Sequence, residues 1–132
     1  MERDVAEGQK RILLVDDCEV TLLVEKVLLE SRGYEVQTVS ALSAFDEAVA
    51  QFQPDVVLTD IQMPEASGVE LCRRLKQGSA ALPVVLVSSM EEQELHALAE
   101  QAGADGAISK SEGMEALGEK MDALVRMLWM MG

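Results

Sequence analysis

The sequence predicts a doubly wound α/β domain, a (βα)5 sandwich with helices on both faces of a five-stranded parallel sheet. Two observations lead there. Short β-branched runs alternate five times with longer stretches whose apolar residues recur every three to four positions, the mark of successive βα units. Three of the runs are almost wholly apolar, as strands covered on both faces must be. The chain's 132 residues suit one domain with a sizeable core, and only residues 1–10 read as a loose arm before a domain spanning 11–132.

The first strand is Arg11 to Val15 (RILLV), followed by a helix from Val20 to Arg32 that Gly33 ends. Glu35 to Val39 (EVQTV) is the second strand, and its end in Val39 and Ser40 is consistent with an edge position outside the site; a helix from Ala41 to Phe52 follows, closed by Pro54. The third strand, Val56 to Thr59, leads to a helix from Gly68 to Gln77, with Ser67 and Glu70 at capping-box spacing and Gly78 as a C-cap. Pro83 precedes the fourth strand, Val84 to Ser88. Ser89 and Glu92 repeat the capping-box pattern before a helix from Met90 to Ala102 that Gly103 ends. Gly106 to Ile108 is the fifth strand, and the last helix runs from Met114 to about Met131. Its stripe of Met114, Leu117, Met121, Leu124, Val125 and Leu128 is core, whereas Met127, Trp129 and Met130 fall off it and suggest an exposed apolar end or a frayed terminus.

Composition narrows the function. Aromatics are only 3% of the chain, so the core is aliphatic. Eleven Lys and Arg against 24 Asp and Glu give a formal charge of −13, which argues against direct nucleic-acid binding and for a cation or a basic partner. No apolar run is long enough to span a bilayer and the N-terminus has no signal segment, so no membrane role is expected and the chain reads as cytoplasmic. Cys18 and Cys72 lack the number and spacing of a disulfide framework or a zinc site and read as free thiols packed on helices.

In an open parallel sheet, ligands bind at the carboxyl ends of the strands, where strand order reverses. Asp16 and Asp17 end the first strand, Asp60 the third and Ser88 the fourth, and Lys110 follows the fifth. Three carboxylates gathered on one rim repel by roughly 4 kcal/mol per pair at 4 Å and an effective dielectric near 20, so a cation must compensate. Oxygen donors with retained waters suit Mg²⁺ better than a full Ca²⁺ cage. A carboxylate beside a metal and an ammonium is also a nucleophile toward phosphorus, leaving an aspartyl phosphate. Each residue alone has an ordinary reading, as a helix N-cap or a solvated loop charge; their joint placement on successive strand ends does not.

The segments LLVDD (13–17), LTDIQMPEASG (58–68), LPVVLVSS (82–89) and GADGAISK (103–110) together resemble the receiver domain of two-component response regulators, of the chemotaxis-regulator type, from about Lys10 to the C-terminus. The resemblance implies strand order 2-1-3-4-5. It implies that Asp60 accepts a phosphoryl group from a phosphohistidine on a sensor histidine kinase or a histidine phosphotransfer protein. The direct Mg²⁺ ligands are then Asp17, Asp60 and the backbone carbonyl of Gln62, with Asp16 acting through water and Mn²⁺ an acceptable substitute. Ser88 takes the hydroxyl position that follows the phosphoryl oxygen, and Lys110 the ion-pairing lysine. Gln62 and Met90 stand where phosphoryl lifetime is tuned, Met90 as a shield against water. The domain is then no enzyme beyond its own phosphotransfer and autodephosphorylation, and it signals to a downstream protein through its fourth helix, fifth strand and fifth helix.

Three departures stand out. The switch aromatic of the family is lost, its position being Ala107. Ser111 replaces a proline after Lys110, so a trans bond is expected there. No Lys or Arg lies between Lys76 and Lys110, while Glu91, Glu92, Glu94, Glu100 and Asp105 do, which disfavours a dimer built on paired charges and leaves a monomer or weak dimer. His96 on that charged helix reads as solvated. Two other readings compete: a pseudo-receiver that signals by binding alone, and a metal-dependent phosphatase of the haloacid dehalogenase type. The latter needs a second Asp two residues after the nucleophile, where this chain has Gln62. A flavodoxin-like nucleotide module lacks support, since no phosphate-binding glycine loop follows the first strand.

Overall fold

The computed structural model describes residues 10–61, 68–78 and 82–130. Five parallel strands, β1 (Arg11–Val15), β2 (Glu35–Val39), β3 (Val56–Asp60), β4 (Val84–Ser88) and β5 (Gly106–Ser109), form one sheet in the order β2-β1-β3-β4-β5. The helices are α1 (Glu19–Ser31), α2 (Phe45–Phe52), α3 (Gly68–Gly78), α4 (Glu92–Ala102) and α5 (Met114–Met130), with a short 3-10 turn over Leu42–Ala44. The doubly wound fold is therefore as the sequence predicts.

Alternation along each strand assigns its side chains to two cores. Ile12, Leu14, Val56, Leu58, Val85 and Val87 face α1 and α5, meeting Leu22, Leu29, Leu117 and Met121. Leu13, Val15, Val57, Val84 and Leu86 face α2, α3 and α4, meeting Phe45, Leu71, Cys72, Leu95 and Ala99. Both faces of β1, β3 and β4 are thus dry, which accounts for their apolar runs. Gly106 lets α5 lie close on β5, since a Cβ there would stand 2.8 Å from Leu124 Cδ2.

The differences from expectation have local causes. The second helix starts at Phe45 because the Leu42–Ala44 turn takes up the preceding residues; it ends at Phe52 as predicted, with Gln53 as a left-handed C-cap (φ 54°) before Pro54. The fourth helix starts at Glu92 with Glu91 as N-cap and no side-chain cap, so Ser89 and Glu92 form no capping box. The backbone N–H of Met90 is instead taken by Ser88 Oγ at 3.1 Å, which holds this segment out of the helix. Gly33 and Gly103 do adopt left-handed conformations, while Gly78 is the last residue of α3; Ser67, of the other capping box, lies outside the described residues. Cys72 is buried on α3, but Cys18 is exposed at the N-cap of α1 rather than packed on it.

At the far end of α5, Trp129 is neither frayed nor a free docking group. It packs against the α1/α5 core, and Lys10 Nζ stands 4.4 Å above its ring. Met127 stays half exposed, and the side chain of Met130 lies outside the described residues. Asp122 ties α5 to the connection between α1 and β2, accepting hydrogen bonds from Arg32 (2.7 Å) and the Tyr34 hydroxyl (2.6 Å). Burial pushes the Asp122 carboxyl up, but those two hydrogen bonds outweigh it and leave it below its ordinary value. Among the described residues, no helix is long and apolar enough to cross a membrane.

Candidate functional site

Strand order reverses between β1 and β3, and both strands end in acids at that point. Asp16 continues the β1–β2 ladder, donating its N–H to Val39 O at 3.2 Å. Its Oδ1 accepts the Cys18 N–H at 2.9 Å, an Asx turn that aims the chain into α1. Asp60 closes β3, and the N–H of Ile61 bonds Val87 O at 3.3 Å, so the carboxylate sits at the lip between β1 and β4. The result is a cluster in which Asp16, Asp17 and Asp60 each place a carboxylate oxygen within 4.8 Å of the others.

This donor set fits a hard divalent ion, being all oxygen and formally trianionic. The electrostatics agree. Burial raises the Asp16 carboxyl above its ordinary value and Asp17 adds to the rise, against lowering by the Cys18 N–H and Lys110. Asp16 is itself only 6% exposed.

Ser88 and Lys110 stand at the same ends of their strands. Ser88 ends β4, half-buried, and its carbonyl accepts the Lys110 N–H at 2.7 Å, which fixes the β5–α5 loop beside the β4–α4 loop. Lys110 lies 17% exposed with Nζ 3.5 Å from Glu25 Oε2. Met90 and Ala107 are half-buried against the α2–α4 core. Gln62, expected as a carbonyl ligand and a tuning residue, lies outside the described residues. The Lys110–Ser111 bond is trans, as expected, since no described peptide bond is cis. His96 is largely exposed, 3.7 Å from Glu92, which fits a solvated role.

Two residues escaped sequence reasoning. Glu25 is 4% exposed on the core side of α1, in register with Leu22 and Leu29. That register, an acid at an apolar position, was the available signal. Burial raises its carboxyl above the ordinary value, Asp16 and Asp60 add to the rise, and Lys110 opposes it. Ser109 is the second, the one residue by which β5 extends past the predicted Ile108. Its buried hydroxyl donates to Met90 O at 2.8 Å, bonds Ser111 Oγ at 2.9 Å and accepts the Ser111 N–H at 3.2 Å. A chain of hydrogen bonds thus runs from Ser88 through Met90 and Ser109 to Ser111.

The fold and the acid-lined rim define a doubly wound α/β domain with a three-carboxylate strand-end site whose donors suit a divalent cation. Comparison with known proteins makes this particular. The family described as "Response regulator receiver domain" matches residues 12–122, and the chain belongs to that family, a signalling domain of two-component systems rather than an enzyme of the usual kind. It is 35% identical over 104 residues to the polar-differentiation response regulator DivK of Brucella ovis, covering 76% of this chain and 84% of that protein. It is also 35% identical over 122 residues to a gliding motility regulatory protein of Myxococcus xanthus, 90% of this chain but 16% of that protein. The chain spans half or less of the length of several other curated relatives. Among solved structures, a CheY-like receiver domain protein from Methanospirillum hungatei JF-1 superposes with a TM-score of 0.80 at 27% identity, covering 95% of this chain and all of that one.

A stability prediction follows from the Asp16 environment. A carboxyl raised in the folded state holds its proton to higher pH than in the unfolded chain, so stability is lost as pH rises through the carboxylate range. Asp16→Asn keeps the oxygen that accepts the Cys18 N–H and removes the charge. In metal-free buffer it is expected to unfold roughly a few degrees above wild type near pH 7, the gain vanishing near pH 3, as thermal scans across pH would show.

Proposed function

We propose that the chain accepts a phosphoryl group on Asp60 from a phosphohistidine and transmits the change by protein contact. The observation that carries this reading is the meeting of Asp16, Asp17 and Asp60 at the strand-order reversal. An Asp60 carboxylate oxygen attacks phosphorus; the O–P bond forms as the donor's P–N bond breaks and the imidazole keeps the bonding pair. Mg²⁺, or Mn²⁺, held by Asp17, Asp60 and the Gln62 carbonyl with Asp16 through water, supplies positive charge to the phosphoryl oxygens when bound. The Lys110 ammonium contributes a second positive charge. The Ser88 hydroxyl, by turning to a phosphoryl oxygen, gives up the Met90 N–H. The hydrogen-bond chain through Ser109 then carries the change to the β5–α5 loop, a route that needs no aromatic at Ala107. Hydrolysis of the acyl phosphate ends the signal, with Met90 and Gln62 setting its rate.

Partner surfaces fit the same reading. On α1, Val20, Leu23, Val24 and Val27 are 72%, 62%, 45% and 59% exposed, a stripe at i, i+3, i+4, i+7 that begins three residues after Asp17. A donor protein resting a helix there brings its phosphohistidine to the rim. The downstream protein meets α4, β5 and α5, where a shallow pocket of about 260 Å³ is lined by Ala107, Ala123, Leu124 and Met127 and edged by Glu92, His96 and Lys120.

Incubation with Mg²⁺ and acetyl phosphate is expected to add one phosphoryl mass to wild type and none to Asp60→Asn in intact-protein mass spectra. No adduct on wild type would favour the binding-only reading. Leu23→Glu is expected to slow transfer from a phosphorylated sensor kinase by about tenfold while acetyl phosphate labelling is unchanged; equal loss with both donors would remove α1 from the account.

A further inference from the structure

Asp16 and Glu25 are the buried acids among the described residues, and only Glu25 lies within a helix. Its neighbours on that face, Leu22 and Leu29, are core residues, so an aliphatic side chain would satisfy the packing. A carboxylate buried there costs several kcal/mol unless paired, and the ammonium 3.5 Å away is that of Lys110. The pair joins residues 85 positions apart and spans α1 and the β5–α5 loop. Glu25 also feels Asp16 and Asp60 electrostatically, which places it in the field of the rim although it is no part of the three-acid cluster.

We propose that Glu25 is a positioning residue that competes with the phosphoryl group on Asp60 for the Lys110 ammonium, and so lowers the phosphorylated fraction of the protein. The inference rests on the reading that Asp60 is phosphorylated. Lys110 has one charge and two claims on it. Its backbone is fixed by the Ser88 carbonyl, so only the side chain can turn toward a new partner. A phosphoryl group carries about −1.5 to −2 at neutral pH, more than the carboxylate charge it replaces. If Lys110 moves to it, the Glu25 carboxylate is left buried without its cation; if Lys110 stays, Glu25 adds one more negative charge to the repulsion. Both routes oppose phosphorylation, and both vanish when residue 25 is neutral.

The test measures phosphorylated fraction at sub-saturating acetyl phosphate with Mg²⁺, decay after donor removal, and the unfolding midpoint of each protein. Glu25→Gln, nearly isosteric, and Glu25→Leu, which matches Leu22 and Leu29, are both expected to raise the fraction about fivefold and to slow decay. Glu25→Asp, which keeps the charge, is expected to stay near wild type. A purely structural Glu25 would shift unfolding midpoints without this division by charge. A fraction equal to or below wild type in both neutral variants, with wild type itself phosphorylated, would overturn the proposal and leave the proposed function standing. Absence of adduct on all four proteins would overturn both.

Discussion

Everything at the functional end of this domain depends on one unfavourable interaction, the repulsion among carboxylates that the sheet forces together. β1 and β3 are neighbours at the centre of the sheet, and each ends in acid. Backbone hydrogen bonds hold these ends, Asp16 N–H on Val39 O and Ile61 N–H on Val87 O, so the rim does not relax by moving apart. What remains is to protonate, to bind a cation, or to recruit an ammonium. Burial raises the Asp16 and Glu25 carboxyls, with neighbouring acids adding to the rise, and the Lys110–Glu25 ion pair is an instance of the third response within the chain itself.

The same rigidity explains how a small chemical change at the rim can travel. The β4–α4 and β5–α5 loops are tied by Lys110 N–H to Ser88 O, by Met90 N–H to Ser88 Oγ and by Ser109 Oγ to Met90 O. A rearrangement of the Ser88 hydroxyl therefore alters the partner of Met90, and through it Ser109 and Ser111, at the edge of the face that carries Ala107. The negative charge of the chain also divides. Glu92 and Glu112 lie within 3.6 Å of Lys120, and Asp105 is paired with Lys76, so part of the acid excess near α4 is compensated locally. The rim acids, crowded on one another, are the portion that calls for an external cation.

Strands were the most legible part of the sequence, since β-branched runs bounded by Gly, Pro and Asp left little freedom: β1, β2 and β4 have the predicted ends, and β3 and β5 each extend one residue further. Helix starts were less legible where tertiary hydrogen bonds compete with local ones. Ser89 and Glu92 have the spacing of a capping box, but Ser88 and Ser109, reaching in from strand ends, hold Met90 and delay α4. The acids of the rim could be read because each follows its own strand. Glu25 could be noticed as an acid in the Leu22–Leu29 register, but its pairing with Lys110 crosses 85 residues and belongs to the fold. Trp129 likewise falls off the apolar stripe on a helical projection, and its packing against the α1/α5 core and under Lys10 belongs to the fold.

If uncompensated repulsion at the rim is what the structure is built around, a divalent cation must stabilise the folded chain through those acids. The most direct measurement is the unfolding midpoint against Mg²⁺ at constant ionic strength, for wild type and Asp17→Asn. Wild type is expected to rise steadily with the logarithm of Mg²⁺ once its dissociation constant is passed, and Asp17→Asn to stay nearly flat over the same range. A wild-type midpoint indifferent to Mg²⁺, or an equal rise in both proteins, would contradict the account.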